Sequence, residues 1–246
     1  MKKNTIVIGG SSGLGLAIIR EIDKLALSNP VCISRSNNNL KEKIGKHIDH
    51  IALNLSKTTS DEIKDVINKL KPIDKIIFSQ RFRPDNNMKD KERDASTEFR
   101  INVEATALFM EELINYLNTN TKDQGFIKIA IVGSTYAERA GYDQDWSYHA
   151  SKTAQQGLVR YYSIKSKGLY NINSFSPPTF VKKGAEQYWE KNTKSNIWEK
   201  YPAQELLTAD KLAKEIIGIL ETLSKWTSGN NIIIDSGVSY LYHDQQ

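Results

Sequence analysis

The chain has 246 residues, 39% of them hydrophobic, and its 34 basic and 29 acidic residues leave a formal net charge of +5. That is enough apolar content for one substantial core, and the mixed charges describe a solvated surface rather than a nucleic-acid footprint, so no nucleic-acid partner is expected. No run approaches the roughly 20 apolar residues that a spanning helix requires, and the opening MKKNTIVIGG reaches a glycine turn too early for a secretory signal; a cytoplasmic protein with no membrane partner is expected.

Short β-rich runs alternate with helical patterns from the start: NTIVIGG, PVCIS, HIALNL, IDKIIFS, FIKIAIVG, YNINSFS and NNIIID. Such alternation predicts an α/β protein, a single-domain doubly wound Rossmann fold over residues 1–246 with about seven parallel strands flanked by helices. The helices are predicted over 13–27, 39–46, 60–70, 95–119, 148–167 and 208–224. In the first of these, Leu16, Ile19 and Leu25 supply the apolar stripe of a helix packed on a sheet. Cys32, the single cysteine, sits in the apolar PVCIS run and reads as a buried strand residue. The histidines at 47, 50, 149 and 243 have no metal-ligand grouping, so no metal is expected.

Two segments break the alternation. Residues 80–94 are polar and carry Arg81 and Arg83; residues 177–206 have prolines at both ends and aromatics between. Long loops after the carboxyl ends of strands are where α/β proteins bind ligands. The second is expected to be a mobile substrate flap with a short helix near 184–195.

IVIGGSSGLGLA joins an apolar strand to a helix through Gly9, Gly13 and Gly15. Glycine permits the tight turn, and free N–H groups at the helix start can receive a pyrophosphate. The residues expected to meet a cofactor there are Gly9, Ser11, Ser12, Gly13, Leu14 and Gly15. Further on, YHASK places Tyr148 and Lys152 one helical turn apart, on one face. YYSIK repeats that spacing at Tyr161 and Lys165, so the spacing alone decides nothing. Thirteen residues along the same helix carry Tyr161 roughly 20 Å from Tyr148 and turn it some 140° away, so only Tyr148 can share a site with the glycine turn.

The spacing G-x-x-x-G-x-G resembles the opening of the short-chain dehydrogenase/reductase family, with Ile8 where threonine is usual. The resemblance continues in order through RINVEAT, IAIVGSTYA, YHASK, INSFSPPT and IIIDSG. It implies a nicotinamide cofactor. The carboxylate that selects NAD would stand near Ser34 and is missing, while Arg35 suits the 2′-phosphate of NADP; NADPH/NADP is therefore expected and NADH disfavoured. Asn54 and Leu55 match positions beside the adenine. FSQRF replaces the familiar N-N-A-G, leaving Ser79 and Gln80 as cofactor candidates, and SPPT puts Pro178 where glycine is usual, with Pro177 and Thr179 shaping the nicotinamide pocket.

By the same resemblance Tyr148 donates a proton to a substrate carbonyl while hydride comes from the cofactor. A phenol ordinarily titrates near pH 10, and an adjacent ammonium favours its ionised form. Lys152 would tune Tyr148 and hold the nicotinamide ribose; Ser134 would bind the carbonyl, with Thr135 as the alternative. Asn102 would support a water that connects Lys152 to solvent.

Arg81, Arg83, Tyr136, Glu138, Tyr142, Trp146, Tyr188 and Trp189 are candidate pocket residues, and suit a polar, sugar-like or anionic substrate. The expected function is NADPH-dependent reduction of a small-molecule ketone or aldehyde, reversible as alcohol oxidation. A catalytically silent NADP-binding sensor or scaffold is the alternative. A homodimer or homotetramer through helices 95–119 and 148–167 and the C-terminal segment is what the resemblance implies.

Overall fold

The computed structural model describes residues 2–36, 39–46, 48–82, 95–120, 125–139, 144–182, 185 and 201–240. All seven expected strands are present: β1 (Asn4–Ile8), β2 (Asn29–Ser34), β3 (Asp49–Ala52), β4 (Ile73–Phe78), β5 (Ile127–Val132), β6 (Tyr170–Ser176) and β7 (Asn231–Ile233). They form one parallel sheet in the order β3-β2-β1-β4-β5-β6-β7. A parallel sheet is covered on both faces, which is why the central strands are apolar on successive residues instead of alternating. Ile6, Val7 and Ile8 of β1 and Ile76, Ile77 and Phe78 of β4 are all buried.

Helix α1 (Gly13–Leu25), the short α2 (Leu40–Ile44) and α7 (Ala209–Thr222) cover one face through Leu16, Ile19, Leu40, Leu212 and Ile216. Helices α3 (Ser60–Leu70), α5 (Ala105–Thr119) and α6 (Trp146–Ile164) cover the other through Ile63, Phe109, Leu113, Val159 and Tyr162. The start of α3 is written in its sequence: Thr59 Oγ1 accepts from the Glu62 N–H at 3.3 Å, and Glu62 Oε2 accepts from the Thr59 N–H at 3.0 Å. This reciprocal capping satisfies two donors that a helix start leaves open. Cys32 is fully buried on β2, and burial pushes its thiol above the ordinary value.

One expected helix differs. The run 95–119 is divided into α4 (Ala95–Phe99), a π turn at Arg100–Glu104, and α5, with the Ala105 N–H bonded to the Arg100 carbonyl five residues back. Such widened turns recur at functional sites. The helix expected near 184–195 lies outside the described residues. The base of that excursion is closed, however: Val181 N–H donates to Leu207 O at 2.9 Å and Ala209 N–H to Val181 O at 2.8 Å.

Chain direction across the sheet reverses between β1 and β4. That reversal opens a crevice at the carboxyl ends of the strands, because the loops after β1 and β4 leave toward opposite faces.

Candidate functional site

A cavity of about 540 Å³ occupies that crevice. Each of the first six strands contributes to its lining: Gly9 and Ser11–Leu14 after β1, Ser34–Ser36 after β2, Asn54–Ser56 after β3, Ser79–Phe82 after β4, Ser134 and Tyr136 after β5, and Pro177–Phe180 after β6. Tyr148 and Lys152 from α6 complete it.

The glycine turn is shaped by contact. Gly9 has φ +84°, and a Cβ there would lie 2.8 Å from the backbone of Gln80. At Gly15 a Cβ would lie 2.3 Å from the Gly9 carbonyl oxygen. Gly15 was expected to meet the cofactor, yet it does not line the cavity; it lets α1 press against the end of β1. Ser12 begins α1 without a side-chain cap, so the first turn presents backbone N–H groups and a hydroxyl at the cavity.

Among the described residues, the charged side chains that line the cavity are Arg35, Arg81, Lys152 and Lys182, with no Asp or Glu. A concave surface with one sign of charge concentrates an oppositely charged ligand. Sequence reasoning passed over Lys182, whose Cε lies 3.9 Å from where a Cβ on Gly13 would be. Its return over the glycine turn is a product of the β6–α7 path and has no local sequence signal. Ser34 and Ser36 flank Arg35 in the lining, and Ser34 Oγ donates to Ser36 O at 2.7 Å. The Ser34 hydroxyl hydrogen is thereby used, so His50 Nε2, 3.0 Å away, is the donor to Ser34 Oγ. Asn54 Oδ1 accepts from Ser56 N at 3.2 Å and Ser56 Oγ at 2.9 Å, which leaves its NH2 end as the group able to meet a ligand.

The other end of the cavity is built around Tyr148. Ser134 and not Thr135 faces the cavity; Ser134 Oγ accepts from the Tyr136 N–H at 3.2 Å, while the Thr135 N–H donates to Pro177 O at 3.0 Å. Lys152 Nζ lies 5.8 Å from the centre of the Tyr148 ring, and Arg81 Cζ lies 4.6 Å from it. Arg81 is held there by donating to Gln144 Oε1 at 2.7 Å. The second pair, Tyr161 and Lys165, stands outside the lining, with Tyr161 exposed.

Lys152 is buried and donates to Val132 O at 2.9 Å and Gln155 Oε1 at 3.1 Å. Burial pulls its ammonium down from the usual 10.5 to about 7; the Arg81 guanidinium adds to the fall and the Glu98 carboxylate opposes it. Glu98, missed by sequence reasoning, is fully buried and accepts from Ser147 Oγ at 2.7 Å.

Several expected site residues stand elsewhere. Asn102 is fully buried behind the cavity, where its Nδ2 donates to Ser151 Oγ at 3.2 Å. Gln80 reaches the lining, but its Nε2 is turned to Thr106 Oγ1 at 2.8 Å. Glu138 is drawn away from the cavity by Gln156 Nε2 at 2.7 Å and Asn231 Nδ2 at 2.8 Å, and Trp146 is 72% exposed outside the lining. Arg83, Tyr142, Tyr188 and Trp189 lie outside the described residues.

A family model described as short chain dehydrogenase matches residues 3–190. The chain belongs to the short-chain dehydrogenase family. As a short-chain dehydrogenase it is an oxidoreductase, and its curated relatives span its length. It is 22% identical over 241 residues to a 3-oxoacyl-acyl-carrier-protein reductase of Rickettsia bellii, covering 96% of each chain. It is 23% identical to sorbose reductase of Schizosaccharomyces pombe, covering 96% of this chain and 95% of that one. Among solved structures, Pseudomonas aeruginosa RhlG in an NADP active-site complex superposes with a TM-score of 0.79 at 18% identity, with 96% of each chain covered. A structure of ElxO with NADP bound gives 0.77 at 19% identity, covering 98% of this chain and all of that one. At these identities the superpositions establish the short-chain dehydrogenase fold.

The buried ammonium makes a testable stability statement. The folded protein releases the Lys152 proton near pH 7 and the unfolded chain near 10.5, so unfolding takes up a proton between those values. The penalty for burying the charge is therefore complete below pH 7 and fades as pH rises toward 10.5. Lys152→Met is expected to raise Tm near pH 6 by roughly 2–4 °C, corresponding to about 1 kcal/mol, with the gain shrinking toward pH 10 in differential scanning calorimetry.

Proposed function

We propose that the protein is an NADPH-dependent reductase of a ketone or aldehyde, working reversibly on the corresponding alcohol. The observation that carries this reading is the convergence of Ser134, Tyr148 and Lys152 on a cavity whose described lining holds four cations and no carboxylate. NADP carries a pyrophosphate and a 2′-phosphate, and the lining matches that charge pattern at two separated places. Lys182 and the α1 N-terminus stand over the glycine turn for the pyrophosphate. Arg35, with Ser34 and Ser36 beside it, serves the 2′-phosphate, where a carboxylate would repel it. Leu14, Leu55 and Asn54 border the adenosine half; Ser79, Pro177 and Thr179 border the nicotinamide half.

When bound, the nicotinamide supplies or takes up hydride. The chain supplies the rest. Ser134 Oγ hydrogen-bonds the substrate oxygen and Tyr148 Oη delivers the proton to it during reduction. The Lys152 ammonium favours the phenolate left behind and hydrogen-bonds the ribose. Tyr136 and Arg81 flank the Tyr148 ring and contact the substrate, so polar or anionic carbonyl compounds, including sugar derivatives, suit this end. Pro177–Phe180, at the start of the segment expected to act as a substrate flap, line the cavity of the one NADP-binding domain. Cytoplasmic residence and a homodimer or homotetramer complete the proposal.

Two variants test it. Arg35→Ala is expected to weaken NADPH binding about tenfold, equal to about 1.4 kcal/mol, and to leave NADH binding nearly unchanged in fluorescence titrations; equal loss for both would remove Arg35 from the 2′-phosphate site. Tyr148→Phe should retain NADPH binding while losing about 10² to 10⁴ in turnover across a panel of ketones and aldehydes. NADPH binding by the unaltered protein with no turnover across a broad panel would favour the silent sensor.

A further inference from the structure

One hydrogen-bond partner of Lys152 is the backbone carbonyl of Val132, a residue that lines the cavity. The second is Gln155, three residues further along α6, on its buried face and 1% exposed. Gln155 is itself fixed at its other end: its Nε2 donates to the Asn102 carbonyl at 2.8 Å. The amide can take only one orientation. Turned over, it would set its NH2 against the ammonium and its oxygen against the carbonyl, and both contacts would be repulsive. The Asn102 carbonyl belongs to the π turn Arg100–Glu104, and it also accepts from Thr106 Oγ1 at 3.0 Å. The widened turn thus faces α6 with a carbonyl that collects side-chain donors.

We propose that Gln155 is a positioning residue for Lys152: its amide bridges the ammonium to the π-turn carbonyl of Asn102, a direct protein link where a water from Asn102 was expected. An ammonium has three donors. Val132 O and Gln155 Oε1 take two, which directs the remaining one to the cavity and sets the depth at which Lys152 meets a ligand. The bridge also supplies a neutral acceptor that favours the charged amine against burial. It carries no proton onward, because Gln155 Nε2 only donates to Asn102 O. This inference rests on the reading of Lys152 as a working site residue.

Among the described residues, the charged and titratable groups around Lys152 come from three elements: Arg81 on the segment after β4, Glu98 on α4, and Tyr148 on α6 itself.

The test reads the amine directly, without substrate. In protein carrying isotope-labelled lysine, the Lys152 Cε resonance is identified by its loss in Lys152→Met, and its titration midpoint is followed by NMR. Gln155→Leu, which removes the acceptor, is expected to lower the midpoint by about one unit, the size of a lost hydrogen bond to a charged group. Gln155→Glu, nearly isosteric, is expected to raise it, because a carboxylate favours the ammonium. A role confined to packing would alter Tm in both variants and leave the midpoint in place, and that result, or a fall in both, overturns the proposal. If Gln155→Leu does not fold, Gln155→Met, which also lacks the amide acceptor, takes its place: a lowered midpoint supports the bridge and an unmoved one removes it. NADPH titration of the same samples judges the reductase reading separately, since cofactor binding with an unmoved midpoint dismisses Gln155 alone.

Discussion

A cation held inside the protein by neutral partners is the constraint on which the arrangement turns. Burying an ammonium is costly unless it is hydrogen-bonded, and here the bonds come from the end of β5 and from one amide of α6. Both supports exist because larger elements are in register. Val132 ends a strand that is buried at every residue but Lys128, and Gln155 is set by the packing of α6 on the π turn. The fold therefore delivers to the crevice a charge whose two hydrogen-bond acceptors are neutral, with the Glu98 carboxylate acting on it from α4. A ligand bearing phosphates and hydroxyls complements such a site.

The same logic separates the two ends of the cavity. Near β2 and β3 the groups are exposed and local: Arg35 at the strand end, Ser34 oriented by His50, Asn54 turned on its own Ser56. Near β4, β5 and α6 they are buried and interlocked, with Gln80, Asn102, Thr106, Ser151 and Gln155 in one hydrogen-bonded set. Affinity for a dinucleotide can be supplied by the first kind of group. Placement of a reacting atom needs the second, because rotamers locked by packing hold geometry that surface side chains do not.

What the sequence reveals and what it conceals follow from the same distinction. The strands were legible because β-branched runs stand between turn residues. Gly9, Ser134, Tyr148 and Lys152 were legible because they occur in order at fixed spacings. Gln155 was not: three residues beyond Lys152 in TAQQG, it reads as a solvent-facing polar residue, and only the π turn packed against α6 buries it. Lys182 and Arg81 are brought to the cavity by loops whose paths are tertiary. Glu138 shows the reverse error, since its place among aromatics suggested the pocket while Gln156 and Asn231 hold it elsewhere.

Proton uptake on NADPH binding tests the central claim most directly. Calorimetric titrations at pH 7.5 in buffers of differing ionisation enthalpy count the protons taken up. Because Lys152 titrates near 7 in the free protein and an anionic ligand favours its charged form, the account predicts net uptake that disappears in Lys152→Met. Binding without proton uptake, or with the same uptake in Lys152→Met, would contradict it.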